Sequence, residues 1–465
     1  MSNNKDQDLP SPIPPTESGW FYSKLSGSYS DIGYQHGATH FYMINKIISR
    51  MKDYTYWSTG LTWDFLKDKI WGIWWNNIPA VYQQEMQGIA SGAADKGATE
   101  VTVQDVFLWN CYMEVLYYYY PTFKNILSGV SNLLGKATPP CSCSAFIAVG
   151  DYTSDSKIVM AHNSFTGYEL AYMHLALDIT VPDGSRFVMQ TSPGQICSNT
   201  DFGVNSKGLM ITETTIGGFE NYCSDAGKIG SLMPEFIRAR MAMEQAGSLD
   251  DFKKIMLDKN TGGYANSWLV GDTNVNKIMR FELGYTHSAV TILDNGYLAG
   301  FNAPLDPCIR NLECSNTGYM DIRRHQGARQ VRIPQLVEAN KGKITAELAR
   351  DILADHMDPY LSSIEGKEIT NVCARNIDAH YELDPRQYMS QIGRPLPYQP
   401  QGAADGKTSS SDMAKNLDFY ARWGSSSDIG FDADDFFARH PQYADMRPFI
   451  DSRPANPWIR VSDMK

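Results

Sequence analysis

The sequence predicts a layered α+β fold, and three observations carry that reading. A Trp-rich, helix-periodic stretch fills the chain before residue 120. Short strands of alternating polarity, separated by Gly, Asp and Pro turns, run from residue 143. Helices then separate this run from a second run of strands. With 465 residues, 43% of them hydrophobic and 20% charged, the chain can bury a sizeable core as an ordinary soluble globular protein. The net charge of -11 argues against a nucleic-acid partner, because such binders carry a basic face or stripe.

The Pro-rich start, residues 1–18, reads as a disordered tail. It has no basic n-region, apolar h-region or small-residue cleavage site, so a cytoplasmic location is expected. No apolar run is long enough to span a bilayer, and no Asn-x-Ser/Thr acceptor occurs. Ordered structure opens at Gly19–Tyr22, and the stretch from Gly27 leads into a helix through Met51, with Gly33 and Gly37 permitting close packing. His36 and His40 share a helix face, but no glutamate in HExxH register and no third ligand accompany them, so they read as a surface or packing pair. Tyr54 to Gly97 is helix-compatible, and Gly88, Ser91 and Gly92 put small residues where helices approach closely. A further helix starts near Val101. Trp71, Trp74 and Trp75 at helical spacing, with the run Tyr117–Tyr120, read as a helical layer packing on a sheet, the alternative being an acyl-chain or lipid-facing surface.

Strands are expected at 144–149, 158–162, 173–181, 186–191 and 209–215, forming an antiparallel sheet. Helices follow at 231–245 and 249–259, then strands at 267–272, 277–283, 287–293 and 297–299, then helices at 328–338 and 345–355. Beyond Gly393 the chain reads as loop. Gly402 to Ser409 imitates a phosphate loop and fails: three residues, not four, separate its glycines, and no strand precedes it.

The chemistry points to Cys141-Ser142-Cys143-Ser144, where a thiol-bearing start runs into the apolar strand Ala145–Val149. Alternation puts Cys141, Cys143, Ala145, Ile147 and Val149 on one face and Ser142, Ser144, Phe146 and Ala148 on the other. Pro139 and Pro140 can neither continue a helix nor donate to a ladder, so an extended segment delivers the chain into this strand. A cysteine freed at its amino group carries its own base, since that amine titrates near 7.7 to 8.0 and can take the thiol proton. Eight cysteines show no paired CxxC spacing, which leaves no zinc ribbon or thioredoxin-like motif; Cys308 and Cys314 would bridge a short loop only in an oxidising compartment.

Several stretches together carry a family resemblance: Cys143–Ile147; Ile158 through His162 and Asn163 to Ser164; Gly208–Ile216; and Asn266–Asp272. They resemble the phospholipase B-like proteins. Gly33–Gly37 and Glu85–Gly92 are similar to the related acyl-coenzyme A:6-aminopenicillanic acid acyltransferase-like cysteine peptidases, and both groups are N-terminal nucleophile (Ntn) hydrolases. The resemblance implies a four-layer αββα sandwich with an N-terminal helical segment. Residues 19–142 would be a propiece or small chain, and 143–465 the hydrolase core with a loop-rich C-terminal extension. It implies cleavage between Ser142 and Cys143, with Cys143 as nucleophile and His162 beside it. The acyltransferase-like relatives carry an Asp where Phe165 stands here, which favours the phospholipase B-like comparison.

Asn266 is the expected side-chain oxyanion donor. Glu213 and Thr214 are candidates for oxyanion or substrate contact, and alternation leaves open which of them faces the pocket. Arg324, with its neighbour Arg323, is a candidate for holding Asp321 or a substrate anion. The expected function is an autoprocessed cysteine hydrolase of amide or acyl ester bonds, working through a thioester acyl-enzyme on Cys143 and acting on a small acylated substrate such as an N-acyl amide, peptide or lipid. No metal or organic cofactor is required. The alternatives are an acyltransferase or peptidase of the 6-aminopenicillanic acid type, and a catalytically silent lipid-binding protein on the same fold.

Overall fold

The computed structural model describes residues 15–119, 142–198, 200–315, 317–385 and 397–464. Cys141, Pro139 and Pro140 therefore lie outside the described residues, as does most of the N-terminal tail.

The first strand, β1 (Phe21–Ser26), buries alternate residues. The helix α1 (Tyr29–Thr59) starts with a capping box between Ser28 and Asp31 and ends at Gly60, whose φ of 74° closes it in the left-handed conformation. It runs beyond Met51 by two turns. Helices α2 (Trp63–Trp74), α3 (Ala80–Asp95) and α4 (Val103–Glu114) complete the layer, and α4 passes into a π-helical turn, Val115–Tyr119. Small residues set the fit of α1 on α3. A Cβ on Gly33 would stand 1.9 Å from the Glu85 carbonyl oxygen, and one on Gly37 2.0 Å from that of Ile89. From the other side, Gly88 meets Ser30 and Gly92 meets Tyr34 in the same way. This is backbone contact between helices, the geometry that small residues four apart permit.

Trp74 and Trp75 are buried, and Trp71 stacks on Trp75 with ring centroids 3.9 Å apart. They pack on Phe107 and Tyr119 inside the helical layer. The aromatic stripe is thus core, although Tyr56 and Trp57 stay exposed at the end of α1. His36 and His40 are a buried packing pair, not a surface one: the His36 ring accepts from the Gly194 amide at 3.0 Å, and His40 Nε2 lies 2.8 Å from Ser23 Oγ.

The remaining strands are β2 (Ser142–Gly150), β3 (Ser156–Gly167), β4 (Leu175–Thr180), β5 (Arg186–Thr191), β6 (Gly203–Asn205), β7 (Leu209–Thr215), β8 (Asn266–Asp272), β9 (Lys277–Leu283), β10 (Ser288–Leu293), β11 (Gly296–Gly300), β12 (Gln401–Ser410), β13 (Tyr420–Trp423) and β14 (Ile459–Arg460). They form an eight-stranded sheet, β1-β4-β5-β6-β7-β8-β9-β10, and a six-stranded sheet, β11-β2-β3-β12-β13-β14. Every pairing is antiparallel except β1 with β4, which is parallel.

Three apolar layers separate the elements. Ala145, Ile147 and Val149 of β2 meet Val188, Met210 and Leu269 of the larger sheet, which makes the inter-sheet core. Outside the larger sheet, Leu177, Met189, Ile211 and Val270 pack on helices α5 (Glu235–Gln245) and α6 (Leu249–Leu257). Outside the smaller sheet, Phe146, Ala148 and Val159 pack on α7 (His325–Ala339) and α8 (Ala346–Leu353). The order is helix, sheet, sheet, helix: a four-layer αββα sandwich, with the alternation expected along residues 145–149.

One expectation fails. The stretch beyond Gly393, read as loop, contains β12, which is paired on both sides by β3 and β13. Its Gly, Ala, Asp and Lys residues have low strand propensity, and their burial between two partners overrides it. Among the described residues no helix is long and apolar enough to cross a membrane, and the described cysteines, Cys308 and Cys314 included, are unbridged.

Candidate active site

Two alternate rungs of the six-stranded sheet bring polar side chains into the inter-sheet core. In one, Cys143 of β2 pairs with Ser164 of β3, which pairs with Asp405 of β12; in the next but one, Ala145 pairs with His162, which pairs with Lys407. Cross-strand partners present their side chains on the same face. Strand register alone therefore gathers Cys143, Ser164, Asp405, His162 and Lys407. Ser164 Oγ bonds Asp405 Oδ1, and Lys407 Nζ reaches the same oxygen at 2.6 Å and Thr200 Oγ1 at 3.0 Å.

Cys143 is buried and held at both ends of its backbone. Its N–H donates to Asn302 Oδ1 at 2.7 Å, and its carbonyl accepts from Arg329 Nη1. Arg329 Nη2 donates to the same Asn302 oxygen at 2.9 Å, and Asn302 Nδ2 donates to the Thr215 carbonyl at 2.8 Å. Asn302 sits at φ 64°, a left-handed position that Asn tolerates better than most side chains. The thiol lies 3.7 Å from Glu213 Oε1, which reaches over from β7. Glu213 is therefore the residue that meets the thiol, while Thr214 packs against Gly300, the partner of Ala145.

Burial dominates the electrostatics. It pushes the Glu213 carboxyl well above its usual range, with Glu235 adding to the shift, so burial favours its neutral form. Asp201 is raised likewise by burial and by Glu213. The His162 imidazole is driven well below its usual value by burial and by the nearby Lys407, so it is the neutral base form. Both of its ring nitrogens are buried without a side-chain partner. Burial lowers Lys407 while Asp405 opposes the shift, and it lowers Arg329 to about 10, which leaves the guanidinium charged at pH 7.

Asn266 starts β8 opposite Thr215, and both of its amide atoms are buried without a partner. It connects to Cys143 through Thr215 and Asn302. Arg324 stands at the N-cap position of α7 beside Gly318, five residues before Arg329, and Arg323 pairs with Asp321 at the surface. Three residues central to this arrangement escaped the sequence reading. Arg329 had a visible signal, an arginine one turn before Ile333 and two before Val337 on the buried stripe of α7. Lys407 lay inside a stretch set aside as a loop. For Asn302 no sequence signal existed.

Cys143 Sγ, a His162 ring nitrogen and a Glu213 oxygen all fall within 4.8 Å of one another, a spacing compatible with a metal.

The chain also matches known proteins. The family profile for phospholipase B matches residues 36–453. An uncharacterized protein of Archaeoglobus fulgidus is 26% identical over 266 residues, covering 55% of this chain and 41% of that protein. A phospholipase B of Crotalus adamanteus is 24% identical over 309 residues, covering 60% of this chain and 51% of the relative. The matched part thus spans about half the length, or less, of these curated relatives. A solved structure of a mutant conjugated bile acid hydrolase from Clostridium perfringens aligns with a TM-score of 0.34 and 10% identity, over 60% of this chain and 89% of that one.

Proposed function

Since this chain belongs to the phospholipase B family, we propose that it is a cysteine hydrolase of the N-terminal nucleophile kind, cleaving amide or acyl ester bonds of a small acylated substrate. The observation that carries the reading is the double hold on Cys143: its nitrogen on Asn302 at 2.7 Å, its thiol 3.7 Å from Glu213, both buried at the head of a strand.

In the intact chain the Cys143 nitrogen is an amide and cannot act as a base. Activation is attack of the Cys143 thiol on the Ser142 carbonyl carbon. The C–N bond breaks as a C–S bond forms, the nitrogen takes the proton, and water then hydrolyses the thioester. The freed amine keeps Asn302 Oδ1 as its acceptor. The Arg329 guanidinium on the Cys143 carbonyl disfavours a second positive charge there, which favours the neutral, basic form of the amine. In turnover this amine takes the thiol proton, sulfur attacks the substrate carbonyl, and the amine returns the proton to the leaving group. Water resolves the acyl-enzyme.

Glu213, whose neutral form burial favours, would then be a partner for sulfur that does not repel the developing thiolate. His162 orients the thiol. The unpaired amide of Asn266 supplies an oxyanion donor, a contribution of roughly 10²- to 10³-fold in such enzymes. Thr214 and Arg324 would contact substrate at the margins. Residues 19–142 act as a propiece or small chain that stays docked after cleavage, because β1 is an integral strand of the larger sheet. A cytoplasmic location is the remaining part of the proposal, and cell fractionation tests it.

Intact mass and N-terminal sequencing decide the activation step: active protein yields a fragment starting at Cys143, whereas Cys143→Ala stays at 52.1 kDa. Hydrolysis of N-acyl amides and phospholipids is then compared between the two. Turnover by Cys143→Ala at the wild-type rate sinks the proposal.

A further inference from the structure

On the outer face of the six-stranded sheet, Asn163 points away from the thiol and ties down three loops. Its Nδ2 donates to the Leu353 carbonyl at 2.9 Å and the Ile377 carbonyl at 3.1 Å, and its Oδ1 accepts from Ser426 Oγ at 2.5 Å. Within three residues of these anchors stand His356, Asp378, His380 and Ser427. One donor atom from each of His356, Asp378 and His380 lies within 4.8 Å of the other two.

His356 Nε2 is 3.3 Å and His380 Nε2 is 3.4 Å from the same oxygen, Asp378 Oδ2. A charge-assisted N–H···O bond is shorter, about 2.7–2.9 Å. Ligand atoms placed tetrahedrally at about 2.0–2.1 Å from a zinc-class ion stand about 3.3 Å apart, which the two nitrogen-to-oxygen distances match, with the two nitrogens within 4.8 Å of each other. The other nitrogen of His380, Nδ1, makes a short bond of 2.8 Å to Glu382 Oε1. With Nδ1–H donated to Glu382, Nε2 can give its lone pair to an ion in place of the proton it shares with Asp378, and this carboxylate–histidine arrangement is the outer support of metal-bound imidazoles. Amide donors at Ser426 and Ser427, 3.1 and 3.0 Å away, orient the Asp378 carboxylate. Ser427 Oγ, 2.6 Å from Asp378 Oδ2 and 3.4 Å from His356 Nε2, borders the fourth position. Asp378 and His380 are buried, while the His356 side chain keeps 14% exposure, so an ion has a way in.

We propose that His356 Nε2, Asp378 Oδ2 and His380 Nε2 bind one transition-metal dication of the zinc class, with water or Ser427 Oγ as fourth ligand. The ion clamps the three loops on Asn163, directly behind the strand that carries His162. It is a structural site, and it stands independently of the hydrolase reading.

The test is cobalt(II) and zinc(II) titration of the full-length, chelator-stripped protein without an affinity tag, alongside Cys143→Ala, His356→Gln and Glu382→Gln. Wild type and Cys143→Ala should each take up one equivalent, giving the visible absorption of four-coordinate cobalt without a thiolate charge-transfer band. Zinc should raise the melting temperature of both. Glu382→Gln, which keeps all three ligands, should bind about 10- to 100-fold more weakly, and His356→Gln should lose both the uptake and the zinc-dependent melting shift. Three results overturn the proposal: no uptake by wild type, uptake abolished in Cys143→Ala, or equal affinity in wild type, His356→Gln and Glu382→Gln. If His356→Gln does not fold, wild type, Cys143→Ala and Glu382→Gln decide.

Discussion

Replacing Asn302 tests the geometry around the nucleophile most directly. Asn302→Ala removes the acceptor of the Cys143 N–H and the donor to the Thr215 carbonyl, both buried. A buried polar group left unpaired costs roughly 1–3 kcal/mol. Alanine at φ 64° adds roughly 1–2 kcal/mol of backbone strain. The variant should therefore lose at least about 3 kcal/mol of stability. Asn302→Gly loses the same hydrogen bonds without the strain and should recover about 1 kcal/mol. Asn302→Asp keeps the acceptor and the left-handed tolerance and should be the mildest of the three. Urea unfolding in a Cys143→Ala background, where every variant stays one chain, measures these differences. Appearance of the Cys143 fragment in the native background measures the effect on the nucleophile, and Asn302→Ala should slow it most. An Asn302→Ala protein within about 1 kcal/mol of its parent that processes at the parental rate refutes the assignment.

Three further outcomes follow from packing and charge. Gly33→Ala puts a methyl 1.9 Å from a backbone oxygen that cannot swing away, so urea unfolding should show a loss of about 3 kcal/mol or more, well above Gly72→Ala in α2, where an added Cβ meets nothing within 4 Å. Lys407→Met leaves Asp405 as an uncompensated buried charge and should cost about 3–5 kcal/mol, part of which the double variant Lys407→Met/Asp405→Asn should restore. Two buried groups should move stability with pH in opposite directions. Glu114 is raised to about 7 in the fold by burial, so its contribution is full below its unfolded value near 4.3 and fades as pH rises through 7. His40 is lowered to about 4 by burial, so its contribution is present above 6.5 and fades as pH falls toward 4. Going from pH 7.5 to 5.5, wild type should gain about 2 kcal/mol relative to Glu114→Gln and lose about 1.4 kcal/mol relative to His40→Gln, read from denaturant unfolding at both values.

How much of this was legible depends on the kind of signal. Periodicity along residues 145–149 told which side chains face the inter-sheet core, because a strand alternates whatever it packs against. The small residues Gly33, Gly37, Gly88 and Gly92 announced two helices in backbone contact, since only a missing Cβ allows it. A thiol at the head of an apolar strand, after two prolines, drew attention to Cys141 and Cys143 alike, and the family resemblance carried by Cys143–Ile147 made Cys143 the candidate.

What local sequence cannot express is register between segments far apart in the chain. Lys407 and Asp405 reach the site only because β12 pairs with β3, and nothing in a run of Gly, Ala, Asp, Lys, Thr and Ser specifies that pairing. Asn302 holds the Cys143 nitrogen across 159 positions of sequence, and the cluster of His356, Asp378 and His380 is assembled by loops anchored on Asn163. The sequence by itself determined the layers, their inward faces and the candidate nucleophile, all short-range properties of period and residue type. The tertiary structure alone decided what surrounds that nucleophile, because burial, strand register and opposing charges act through space between residues that are not neighbours in the chain.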